Sequence, residues 1–123
     1  IRAMIDSPDT TFGHECYGLP TAVMGDFNAA QTHQPNSNKP VTDFIKYSWF
    51  VDTKNAAKRV DVNWSGTGAW NGEHDQYGSQ IDYVLTRGLG GAVEFRVNRP
   101  APSASGSDHF PVTATVQVPS TLQ

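Results

Sequence analysis

Cysteine is nearly missing from this sequence. Cys16 is the single one, so no internal disulfide can form and no Cys-x-x-Cys spacing exists. That excludes a disulfide-stapled framework and a cysteine-rich zinc module. A buried spectator thiol is the plain reading of Cys16. Long apolar runs are missing too: nothing approaches the roughly 18 consecutive apolar residues of a membrane helix, and no signal-like start is visible. Charge is sparse, at 17% of residues with a net of -3, so no overall basic field draws nucleic acid. That argues against a passive binder relying on bulk charge, and not against an enzyme touching only a few phosphates. There is no Gly-x-Ser-x-Gly nucleophile elbow and no Walker-type phosphate loop. Internal repeats, low-complexity tracts and interdomain linkers are likewise absent.

What is present suits one domain over residues 1–123, long enough for a modest core. The first residue is Ile1 rather than Met, which points to processing or a chosen boundary at this end. Ile1 to Ile5 reads as the last turns of a helix, stopped by Asp6-Ser7-Pro8. Thr10 to Pro20 reads as a loop carrying His14, Glu15 and Cys16, with none of the regular spacing that zinc would need. Thr21 to Gly25 is a short apolar run closed by glycine, a strand signal with its chemistry expected at the C-terminal end. If the strand continues, Asp26 and Asn28 project to the same side, because side chains alternate with period two. The competing reading of Gly25-Asp26-Phe27-Asn28 is a plain turn.

Pro40 can begin a helix, and Val41, Phe44, Ile45 and Trp49 then share one apolar face expected in the core. Phe50-Val51-Asp52-Thr53 leads out of it towards a loop. Val60 to Trp64 alternates like a short strand. Asn63-Trp64-Ser65 fits an N-glycosylation acceptor, a pattern common by chance. Ser65 to Gly78 is glycine-rich, with Trp70, Glu73, His74, Asp75 and Tyr77, and reads either as a groove-lining loop or as a solvated connector. Gln80 to Thr86 is a strand with Asp82 embedded among apolar residues. Ala92 to Val97 alternates as a half-exposed strand. Ser107-Asp108-His109-Phe110-Pro111 leads into a last strand from Val112 to Val118.

Asp82 must meet a partner, because burying a lone carboxylate is expensive. A structural hydrogen bond and a catalytic one are both open from the residues alone. Asp108 and His109 are adjacent and so face different ways. A distant carboxylate could orient His109 and favour its imidazolium form, leaving Asp108 to face a cation. Carboxylate and amide oxygens of this kind suit magnesium or manganese.

Gly25-Asp26-Phe27-Asn28, Ile81-Asp82-Tyr83-Val84 and Ser107-Asp108-His109-Phe110-Pro111-Val112 occur in that order. Together they resemble the C-terminal half of the endonuclease/exonuclease/phosphatase superfamily, the deoxyribonuclease I-like fold. The resemblance runs from about residue 1 to residue 118. It implies an α+β fold of the four-layer β-sandwich type, here one half of it, with about five strands and one or two helices. It implies metal-assisted phosphoester hydrolysis, with Mg2+ or Mn2+, on DNA above all. By the same resemblance Asp26 deprotonates the attacking water, Asn28 holds a phosphate oxygen, and Asp82 hydrogen-bonds His109, which stabilises charge on the phosphate. Asp108, with Asp26 and Asn28, lies at the metal. Inositol-phosphate and lipid phosphoesterases share such endings.

The chain also departs from that family. The metal-binding glutamate of a Gln-Glu motif, an early asparagine and a second histidine are not found; Glu15 lies in a loop, and Glu73 and Glu94 come too late. A missing N-terminal half, or a second copy, is therefore expected to cover the sheet. A non-catalytic fragment or pseudoenzyme acting as a binding module is the reading from another class. Composition and resemblance lean towards secretion.

Overall fold

The computed structural model describes residues 18–28, 39–62, 81–98 and 109–120. The expected N-terminal helix, the loop with Cys16, the Asn63 acceptor, the glycine-rich segment and Asp108 lie outside the described residues. In chain order the elements are β1 (Thr21–Asp26), α1 (Lys39–Ser48), β2 (Val51–Asp52), α2 (Thr53–Ala56), β3 (Arg59–Asp61), β4 (Asp82–Arg87), β5 (Ala92–Val97) and β6 (Val112–Val116). No helix among them is long and apolar enough to cross a membrane.

Two three-stranded sheets form, ordered β1-β4-β2 and β3-β5-β6. In the first, β4 is central and antiparallel to both neighbours. In the second, β5 runs parallel to β3 and antiparallel to β6. Among the described residues there are six strands rather than five, because Val51–Asp52 pairs with Thr86 and Leu85. Those two residues gave no periodic signal, since a two-residue strand is too short to alternate. Strand β6 also ends at Val116, two residues before the expected limit.

Each sheet has its own core. Tyr83 and Leu85 of β4 alternate onto one face, where they bury with Val41 and Phe50, flanked by Val23, Phe27, Phe44 and Ile45. That is the apolar stripe of α1 lying on the sheet. Phe95, Val97 and Phe110 form the second core, with Ala57, Val62, Val112 and Ala114 against it. The outer face of β5 carries charge instead: Glu94 meets Arg96 at 2.8 Å and Arg59 at 3.5 Å. The hydrogen bond to Glu94, and its charge, hold Arg96 above its ordinary value. Being exposed, such pairs add little stability.

The loop expected after α1 is in fact a helical turn. Asp52 caps it, accepting the Lys54 N–H at 2.9 Å. Thr53 is fully buried and donates its hydroxyl to the Val84 carbonyl at 2.8 Å, tying α2 to β4. An aspartate at the N-cap position was the only signal for it. Where β5 follows β4, Gly90 donates to the Gln117 carbonyl at 2.8 Å, and a Cβ there would stand 2.8 Å from that oxygen.

Trp49 departs from expectation. Helix α1 ends at Ser48, whose hydroxyl bonds back to the Phe44 carbonyl. Trp49 then takes φ +61 and turns its side chain out, 81% exposed. Phe50 fills the core position instead, 5.3 Å from the Phe44 ring. A left-handed backbone at a bulky residue costs about 1–3 kcal/mol, against roughly 0.5–1 kcal/mol for the greater freedom glycine loses on folding. Trp49→Gly is therefore expected to raise stability by about 1 kcal/mol, read as a higher urea midpoint at unchanged slope. A lower midpoint would mean that the exposed indole contributes more than the strain costs.

Candidate active site

The Asp26 end of β1 is built by three neighbours with different tasks. Gly25 sits at φ +144, a region that essentially only glycine adopts, so the strand can bend just before the acid. Phe27 donates its N–H to the Ile81 carbonyl at 2.8 Å, carrying the pairing one step past the strand. Its ring drops into the core, 5.5 Å from Tyr83 edge-on and 6.1 Å from Phe44. Asn28 has φ +49, a conformation asparagine tolerates, and its N–H donates to Asp26 Oδ1 at 2.7 Å.

This corrects the period-two reading of Asp26 and Asn28. The strand stops at Asp26, and Asn28 belongs to a turn closed by the Asp26 carboxylate. The side-by-side projection expected of a continuing strand does not apply. Phe27 is the residue that the reading of the sequence passed over. Its signal was an aromatic between two polar residues, which period two sends to the opposite, buried face.

Across the ladder, Asp26 lies directly opposite Asp82, the first residue of β4. Directly opposed side chains have Cβ atoms about 5 Å apart, and like charges there repel. The register puts Met24 and Val84 on the same face, away from α1. From the second sheet, the segment entering β6 brings His109 over this face. Its Nδ1 lies 2.8 Å from Asp82 Oδ2, with the two side chains 25% and 18% exposed. An ionised carboxylate only accepts, so Nδ1 carries the proton in this bond. Backbone pairing then fixes the approach: Asn98 donates its N–H to the Pro111 carbonyl at 2.8 Å, and its amide to Thr113 Oγ1 at 3.0 Å.

The structure thus brings together Asp26, Asp82 and His109, with Asn28 one turn away; Asp108 lies outside the described residues. A cleft of about 420 Å³ opens beside them, walled by Met24, Val84, Phe110, Pro111 and Val112. Phe110 and Pro111 were read only as the lead into a strand. Among the described residues no three His, Cys, Asp or Glu side chains gather in a metal-binding cluster. Asp26 and Asn28 are exposed at the strand end and offer hard oxygens. That donor chemistry fits a magnesium-like ion that keeps most of its waters, and does not fit a closed zinc site.

A sequence profile of the Endonuclease/Exonuclease/phosphatase family matches residues 12–109. A functionally unknown conserved protein from Enterococcus faecalis is 25% identical, with a TM-score of 0.58, over 81% of this chain and 37% of its own. A mannosyl-6-phosphatase from Bacteroides thetaiotaomicron is 23% identical, with a TM-score of 0.60, over 80% of this chain and 38% of its own. A protein of the same family from Leptotrichia buccalis is 21% identical, with a TM-score of 0.58, over 81% and 37%. Among curated proteins none gives a significant match. The chain therefore spans well under half the length of these solved relatives.

Proposed function

Because the chain belongs to the endonuclease/exonuclease/phosphatase family, we propose that it carries the C-terminal part of a magnesium-dependent phosphoesterase with DNA as its substrate. The observation that supports this reading is the Asp82–His109 pair, closed at 2.8 Å and set opposite Asp26 across the ladder. An imidazole oriented through Nδ1 by a carboxylate is suited to act at its other nitrogen, and its positive form offsets the repulsion between the two acids.

In the proposed reaction the bond to the leaving oxygen breaks, that oxygen departing as a hydroxyl after taking a proton from solvent, while water adds to phosphorus and must lose one proton. Asp26 takes that proton on the oxygen not engaged by the Asn28 N–H, and the Asn28 amide donates to a phosphate oxygen. His109 presents charge to the oxygens that become more negative as the water adds. Asp82 keeps the ring in one tautomer and orientation. Most of the acceleration then comes from positioning and preorganised charge. A magnesium or manganese ion, held by Asp26, Asn28 and Asp108, would supply further positive charge and lower the pKa of a bound water.

A second reading, hydrolysis of a phosphorylated sugar, is favoured by two observations. The net charge of -3 provides no basic field of the kind that draws DNA, and one solved relative is a mannosyl-6-phosphatase. One experiment separates the readings. The chain is incubated with supercoiled plasmid, or with a hexose 6-phosphate, in magnesium, in chelator, and as His109→Ala. Plasmid nicking that stops in chelator, returns with magnesium and falls to background in His109→Ala is the expected result. Phosphate release from the sugar alone selects the second substrate. Hydrolysis that ignores both chelator and His109→Ala would sink the mechanism; silence that is relieved when an N-terminal half is added would show a split enzyme, and silence in both cases would favour the non-catalytic binding module.

A further inference from the structure

The segment that delivers His109 is moored to β5 by a pair that lacks one of its two backbone bonds. Val97 pairs with Val112, and one step further along the ladder Asn98 faces Pro111. The Asn98 N–H donates to the Pro111 carbonyl at 2.8 Å. Proline has no N–H to return to the Asn98 carbonyl, so the pair is joined on one side only. The Asn98 side chain makes up the deficit. Its Nδ2 donates to Thr113 Oγ1 at 3.0 Å and to the same Pro111 carbonyl at a longer 3.3 Å. A carbonyl oxygen has two lone pairs and an amide NH2 has two hydrogens, so the three bonds can stand together. The Pro111 oxygen only accepts, which settles that the NH2 end of the amide faces it.

This clamp sits two residues from His109. Phe110, between them, is 5% exposed and belongs to the second core with Phe95 and Val97. As the residue before a proline it is biased to an extended backbone. Asp82 lies in the first sheet, whereas the segment carrying His109 runs into β6 of the second. The 2.8 Å bond from His109 Nδ1 to Asp82 Oδ2 therefore spans the two sheets, and it depends on how firmly residues 109–111 are held at β5. A displacement of about 1 Å takes such a contact beyond hydrogen-bond range.

We propose that Asn98 is a positioning residue for His109. Its amide, spread between the Pro111 carbonyl and the Thr113 hydroxyl, sets the line along which the imidazole meets Asp82. Asn98 acts through the backbone that carries His109. The use of that position in phosphoester hydrolysis rests on the proposed function. The positioning itself does not, so the two can fail separately.

The His109 Nδ1 proton, followed by NMR in nitrogen-labelled chain, reports the position without turnover. Asn98→Ala keeps the backbone bond to Pro111 and deletes both amide bonds. Its Nδ1 proton is expected to exchange with water about tenfold faster, because the segment opens more easily. On the substrate the chain hydrolyses, kcat is expected to fall about tenfold to a hundredfold at unchanged KM, the scale of a small misplacement. Thr113→Val removes only the hydroxyl and suits a strand, so the urea midpoint holds while the Nδ1 proton again exchanges faster. Thr113→Ser keeps the hydroxyl and is expected to keep the parental exchange rate. Should Asn98→Ala fail to fold, the two Thr113 variants decide. Parental exchange in Asn98→Ala or in Thr113→Val overturns the proposal, as does equal loosening in Thr113→Val and Thr113→Ser. A parental chain whose Nδ1 proton already exchanges freely overturns it too. A lower urea midpoint with the Nδ1 proton unmoved would make Asn98 a structural residue alone. A loosened ring in a chain that hydrolyses neither substrate would uphold the positioning and remove the reading on which its catalytic use rests.

Discussion

Asp82→Asn is expected to slow the proposed phosphoester hydrolysis by about 10²–10³-fold, the range lost when one preorganised charge-stabilising group is disabled, with the fold unchanged. Asparagine has nearly the same shape, so the β4 ladder and the approach of His109 persist. What changes is the bond at 2.8 Å between His109 Nδ1 and the residue at position 82. A carboxylate can only accept there, which holds the Nδ1–H tautomer. An amide can present its NH2 group instead, which permits the other tautomer and removes the negative charge that supports an imidazolium. Nitrogen NMR of the His109 ring reads the tautomer directly and does not depend on turnover. The expected result is Nδ1–H in the parent chain and a shift towards Nε2–H in Asp82→Asn. A variant with the parental tautomer and parental rate would remove Asp82 from the mechanism. A variant that unfolds would instead assign Asp82 a structural task.

Phe50→Ala is expected to cost about 3–5 kcal/mol, typical of removing a buried aromatic side chain. A domain of this size has a total stability of roughly 5–15 kcal/mol, so the variant stands near the edge of folding. Phe50 is 3% exposed and meets the Phe44 ring at 5.3 Å. The Arg87 guanidinium lies over the Phe50 ring, 4.9 Å from its centroid. Truncation leaves a hole between α1 and β4 and strips the guanidinium of its aromatic platform, which itself is worth about 0.5–1 kcal/mol. Urea unfolding followed by far-UV circular dichroism measures the loss. A cost under about 1 kcal/mol would mean that α1 reseats Trp49 in the vacated place. The paired variant Trp49→Gly/Phe50→Ala separates that outcome from a rigid core.

The long elements were legible because their periods are strong. Val41, Phe44 and Ile45 marked the face of α1, and the run from Ile81 to Thr86 marked β4 with Asp82 as an anomaly needing a partner. The order of the three acidic motifs pointed to the family, and the sequence profile over residues 12–109 agrees. Short elements were not legible. Strand β2 has two residues and α2 has four, so neither completes a period, and both exist because β4 offers them a backbone edge and the Val84 carbonyl. Trp49 was misassigned for a related reason. Spacing alone continued the helical stripe, whereas the helix stops one residue earlier and the larger burial goes to Phe50.

The sequence by itself determined the chemical types at the site and the absence of alternatives: carboxylates, an amide and an imidazole, with no cysteine set and no nucleophile elbow. It also placed Asp26 at the end of one strand and Asp82 near the start of another, because local hydrophobic pattern sets strand limits. Only the tertiary structure decided that these two acids face each other, since strand register depends on pairing between residues 56 positions apart (82 against 26). Only the tertiary structure decided that Asp26 closes a turn on Asn28 and that His109 comes across from the second sheet to Asp82. How the two sheets pack, with β6 against β4 and α2 between β4 and β5, is likewise a property of contacts between them. No local pattern encodes it, because each strand alone would read the same with its neighbour present or missing.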